Sequence, residues 1–95
     1  MDILRSPLLS PQARILLAIM KGYNKVEEIA ARTGISYYTA IKYVSVMIAG
    51  GMIWRKKRSS YIVTEHAMKM LRELVEQITE TMKNYSAETV AKGEQ

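Results

Sequence analysis

The chain has no cysteine, one histidine, one tryptophan and two prolines in 95 residues. Without cysteine there is no disulfide, thiolate metal site or thiol catalysis, a pattern that fits a reducing interior. No apolar run approaches the ~20 residues that span a bilayer. The opening "MDILRSPLLSPQ" carries Asp2 and Arg5 among apolar side chains, unlike a secretory signal. A cytoplasmic protein with no membrane partner is expected. His66 has no nucleophile or carboxylate pair at useful spacing, because its neighbour Glu65 points elsewhere on a helix. There is no Gly-rich phosphate loop and no cluster of metal ligands, so no enzyme, metal or cofactor is expected.

Acidic residues are also missing, over one long segment. Residues 1–28 hold four basic side chains (Arg5, Arg14, Lys21, Lys25) and three acidic ones (Asp2, Glu27, Glu28). The 36 residues from Ile29 to Thr64 hold six basic side chains (Arg32, Lys42, Arg55, Lys56, Lys57, Arg58) and no acidic one. Residues 65–95 hold four basic and six acidic side chains, and the whole chain carries +5. An acid-free segment that keeps apolar periodicity is a folded surface of one sign, suited to a polyanion.

With 48% apolar residues the chain supports one small domain, and its narrow margin of core favours help from a second subunit. "SPQARILLAIMKG" predicts a helix capped by Ser10, with Pro11 at its first position and a stop at Gly22. "NKVEEIAARTG" predicts a short helix with Asn24 and Glu27 as a capping box, Val26, Ile29 and Ala30 inward, and a stop at Gly34. "SYYTAIKYVSVMIAGG" predicts a third, capped by Ser36 and ended by Gly50-Gly51, with Ala40, Val44, Met47 and Ile48 as its buried stripe. "MIWRKK" and "SYIVT" are β-rich runs joined through the basic cluster and predict an antiparallel hairpin. Thr64 then caps a long helix reaching about Tyr85.

Helix, tight turn around Gly34 and helix form a helix-turn-helix pattern, whose second helix can enter a DNA major groove. The run "VEEIAARTGISYYTAIKYVSVMIAGGMI" followed by "YIVT" resembles the winged-helix transcription regulators of the broad MarR, ArsR and PadR group. The matching positions are Glu28, Ile29, Ala30, Gly34, Ser36, Thr39, Val44, Met47, Gly51, Met52, Ile53, Tyr61, Val63 and Thr64. The resemblance covers roughly residues 12–68 and extends, less specifically, to the last helix. The resemblance implies a mainly α fold with a small β-hairpin, the wing, beside the recognition helix. It also implies a source among archaea or their viruses, where short proteins of this pattern are common. Two departures stand out. Lys57-Arg58-Ser59-Ser60 replaces the family's Asp-Gly-Arg type of wing turn, and the recognition helix is poor in Arg, Asn and Gln, the bidentate readers of bases.

On a helical wheel Tyr38, Thr39, Lys42 and Ser45 lie opposite the buried stripe, while Ser36 and Tyr37 sit at a helix N-terminus that favours phosphate. Ser36, Tyr37, Tyr38, Thr39 and Lys42 are the expected DNA contacts on this helix, with packing over the second helix the alternative for Tyr37. Arg55, Lys56, Lys57, Arg58 and Ser59 are expected to place the wing on the phosphate backbone or minor groove, with a solvated charged turn the alternative for the four cations. Strand alternation lets only some of these point the same way. Tyr43 is expected to pack over the second helix, and Trp54 on the core or across the strands, with stacking on a sugar the alternative.

In the last helix Met68, Leu71, Val75, Ile78, Met82 and Tyr85 are spaced 3, 4, 3, 4, 3, a heptad seam too long for one small domain to cover. A two-fold homodimer is expected there, with Leu74 widening the stripe and Ile3, Leu4, Leu8 and Leu9 adding to it. The organisation read from the chain is an N-terminal extension (1–9), a winged helix-turn-helix (10–64), a dimerisation helix (65–85) and a flexible tail (86–95). The function expected is a homodimeric transcription regulator on double-stranded DNA. The alternatives are a non-sequence-specific architectural DNA binder and a protein-interaction module. For a small-molecule effector the sequence offers no site beyond a dimer cleft.

Overall fold

A computed structural model describes residues 2–57 and 60–91. It contains four helices, α1 (Pro11–Met20), α2 (Val26–Thr33), α3 (Tyr37–Ala49) and α4 (Glu65–Ala91), and the strands β1 (Ile53–Arg55) and β2 (Tyr61–Val63). The strands pair antiparallel between α3 and α4 in sequence, with Ile53 opposite Val63 and Arg55 opposite Tyr61. The mainly helical fold with one hairpin is the architecture the sequence predicts.

Local chemistry explains most of the boundaries. At the head of α1 the Ser10 hydroxyl accepts from the Ala13 N–H at 3.1 Å, and Pro11 opens the helix without losing a needed donor. α2 starts differently from its expected capping box. Its cap position is Lys25, with no side-chain cap bond, which leaves Asn24 one residue too early to reach the free N–H groups. Glu27 and Glu28 in the first turn favour the positive end of the helix dipole instead. α3 ends as its two glycines predict. Gly51 takes φ +75°, its N–H donates to the Ile48 carbonyl at 3.1 Å, and the Met52 N–H reaches the Met47 carbonyl at 2.8 Å.

The core joins Ile15, Leu16 and Ile19 of α1 to Ile29 of α2, Val44 and Met47 of α3, Ile53 and Tyr61 of the hairpin, and Ala67 of α4. Ala40 is buried as expected and Ile48 is half-buried against the core. The first nine residues are more than an extension. Ile3–Arg5 form a 3-10 turn that buries Leu4 in the same core, so Leu4 is not available to a partner as expected; Leu8 stays exposed.

Thr64 joins wing, corner and last helix. Its hydroxyl accepts from the Ala67 N–H at 3.2 Å and donates to the Gly51 carbonyl at 2.7 Å. α4 then runs for 27 residues, about 40 Å. It does not stop at Tyr85: the expected flexible tail continues as helix to Ala91, because "SAETVA" contains no Gly or Pro to break it. Residues 92–95 of that tail lie outside the described residues. From Arg72 to Glu88 every residue is exposed, and the molecule measures 56 × 25 × 19 Å. No helix among the described residues is long and apolar enough to cross a membrane.

Candidate nucleic-acid interface

The turn between α2 and α3 is held from three sides. Gly34 ends α2 in the left-handed region at φ +74°, where a β-carbon would be strained. Thr33, buried, donates its hydroxyl proton to the Ile29 carbonyl at 2.7 Å, and the Ile35 N–H approaches the same hydroxyl oxygen at 3.4 Å. Two arginines from outside the motif each take one of the last carbonyls of α2. Arg14 Nη1 of α1 donates to the Thr33 carbonyl at 2.9 Å, and Arg5 Nη2 donates to the Ala31 carbonyl at 2.8 Å. Both cations sit at the negative end of α2, where orphan carbonyls and the helix dipole favour them. These contacts join residues 19 and 26 positions apart, and no local sequence signal announces them.

α3 presents its N-terminal residues and one face to solvent. Ser36 accepts from the Thr39 N–H at 3.2 Å and donates to Thr39 Oγ1 at 2.9 Å. Its hydroxyl, expected at DNA, thus takes part in the cap and pairs with the hydroxyl of Thr39. Tyr37 and Tyr38 meet edge to face with ring centres 5.5 Å apart, and Tyr38 is 82% exposed. Lys42 and Ser45 are exposed on the same side of the helix, while Tyr43 is half-buried against the core. Two aliphatic side chains outside the expected contact set, Ile41 and Val46, are exposed as well, Val46 by 56%.

In the wing, the Lys56 N–H donates to the Ser60 carbonyl at 2.7 Å and the Ser60 N–H to the Lys57 carbonyl at 3.2 Å, closing the hairpin tip. Lys56 and Lys57 are exposed there; Arg58 and Ser59, also expected at DNA, lie outside the described residues. Arg55 is exposed but held: its guanidinium carbon lies 5.7 Å from the Tyr61 ring centre and its Nη2 donates to the Tyr61 hydroxyl at 3.3 Å. Trp54 does not reach the core, one of the two places expected for it. It is 66% exposed, beside its cross-strand partner Ile62 on the outer side of the hairpin, because alternation gives the core side to Ile53 and Tyr61.

Within the seam of α4, Met68 and Leu71 are half-buried near the domain, and Val75, Ile78, Met82 and Tyr85 are exposed. An apolar groove of about 500 Å³ runs between α4 and α1, lined by Leu9, Leu17, Met20, Leu71, Leu74 and Ile78 among others.

No curated protein matches the sequence. The sequence pattern of one family does, from residue 12 to residue 83, and so takes in most of α4 beyond the helix-turn-helix and hairpin. With an α2–turn–α3 unit, a hairpin beside it and that match over most of its length, the chain belongs to the winged helix-turn-helix family.

Proposed function

We propose that this protein is a homodimeric transcription regulator that binds double-stranded DNA, with α3 in the major groove and the wing on the phosphate backbone. The observation that carries the reading is the charge of this surface. The segment holding α3 and the wing has no acidic residue, yet it exposes Lys42, Arg55, Lys56 and Lys57 on a helix-turn-helix frame. Such a surface concentrates a polyanion and gains affinity by releasing its counterions. Tyr37, Tyr38 and Thr39 at the start of α3 supply hydroxyl groups for phosphate or base edges.

The dimer part of the proposal rests on α4. Val75, Ile78 and Met82 expose an apolar row at heptad spacing, beside the groove against α1. A second copy of α4 laid on this row would cover both, and a two-fold arrangement presents two α3 helices to successive major grooves, about one helical turn apart.

The lack of Arg, Asn and Gln on the outer face of α3 favours a second reading, an architectural binder with little sequence preference. Fluorescence anisotropy separates the two, using a random duplex and the DNA upstream of the protein's own gene, each at two salt concentrations. A regulator binds the upstream DNA more tightly and keeps that advantage at higher salt. An architectural binder holds both alike and releases them together. A protein-contact module binds neither.

A further inference from the structure

The outer face of α3 has an unusual makeup for a helix expected to read bases. Tyr38, Ile41, Lys42, Ser45, Val46 and Ala49 are all exposed, and at ~100° per residue they fall within about 140° of one another. Lys42 is the only charge among them. Ile41, 37% exposed, and Val46, 56% exposed, flank the face on opposite sides, and neither is among the buried residues of α3, which are Ala40, Val44 and Met47. Exposed β-branched aliphatic residues are neither good helix formers nor solubilising, so local stability does not account for them.

The occupant of this face must be anionic overall and apolar where it touches Ile41 and Val46. The acid-free segment supplies the first condition, as it does for the proposed function, on which this inference rests. The major groove of DNA meets the second in one way: the C5-methyl of thymine is the apolar group it presents, and apolar side chains distinguish it from the other bases. We propose that α3 reads thymine methyl groups, with Ile41 and Val46 seated on methyls of different base pairs, and that the preferred site is rich in A·T pairs. Five residues separate the two along the helix, about 7.5 Å of rise, which spans about two base-pair steps. Sequence preference then arises without bidentate hydrogen bonds. Because methyl contact is not electrostatic, it persists as salt weakens the phosphate contacts.

The test uses the full chain and duplexes selected by it from a random pool. Each thymine of the selected duplex is replaced singly by uracil, which removes the methyl and leaves the pairing edge intact. The expected result is about a fourfold loss of affinity for each contacted methyl, at two or more positions per half-site, maintained at raised salt. Ile41→Ser and Val46→Ser should each abolish the loss at its own position while retaining the circular dichroism of the unaltered protein. Uracil-containing duplexes that bind as tightly as the thymine form, or a selection that returns no preferred sequence, overturn this inference and leave DNA binding intact. Failure to bind any duplex at low salt overturns the DNA reading as well.

Discussion

Arg14 crosses from α1 to the far end of α2, where its Nη1 meets the Thr33 carbonyl at 2.9 Å. The contact ties the first helix to the turn that orients α3, so the angle of the recognition helix depends on a residue outside the helix-turn-helix. A charged donor on a half-buried carbonyl contributes about 1.5–3 kcal/mol. Arg14→Met, which keeps the apolar stem, should lower stability by that order in urea unfolding and weaken duplex binding further than stability alone explains. Unchanged stability would mean that the contact does not hold the turn.

Gly34 and Arg5 should be coupled. Alanine at Gly34 costs about 1–2 kcal/mol for its left-handed backbone. Its β-carbon would also stand 3.0 Å from Arg5 Nη1, displacing the guanidinium that serves the Ala31 carbonyl. A double-mutant cycle of Gly34→Ala with Arg5→Ala should therefore show a combined loss smaller than the sum of the two single losses. Strict additivity in urea unfolding would mean that Arg5 does not feel the turn.

For the wing, Lys56→Ala and Lys57→Ala should leave thermal stability within about 0.5 kcal/mol of the parent, since both side chains are exposed. Each should reduce the slope of log affinity against log salt by about 1 for every phosphate it ceases to neutralise, on any duplex sequence. A slope that stays constant in both variants would assign the lysines to solvent. Arg55 should behave differently, because its guanidinium rests on Tyr61: Arg55→Ala should lower stability as well as the salt slope.

The apolar row on α4 gives a prediction about assembly. Val75→Glu combined with Ile78→Glu places two carboxylates where a partner would pack, at positions that contribute nothing to the protomer's own core. Sedimentation equilibrium should show a monomer with retained helical dichroism and much weaker duplex binding. A dimer that persists in this variant would move the interface elsewhere.

Much of this fold is legible in local chemistry. Ser10, Ser36 and Thr64 are short hydroxyl residues ahead of apolar runs, and each caps the helix that follows it. Gly34 and Gly51 end helices in the left-handed region as their positions suggest. Asn24 misleads because a good capping residue one position early loses to the start that places Val26 against the core. Trp54 misleads because size and hydrophobicity suggest burial, whereas the register of a three-residue strand decides the face. Arg5 and Arg14 are invisible in sequence, since a guanidinium that serves a distant backbone carbonyl leaves no periodicity or spacing behind. Ile41 and Val46 lie off the buried stripe read from the sequence, and their exposure emerges once α3 is seen to bury Ala40, Val44 and Met47.

The most direct test of the central claim is the mass of the complex by sedimentation velocity, with a labelled duplex long enough for two half-sites and the full chain at low salt. The account predicts two chains per duplex, assembling together and dissociating steeply as salt rises. One chain per duplex, or a duplex that sediments alone at every protein concentration, would contradict it.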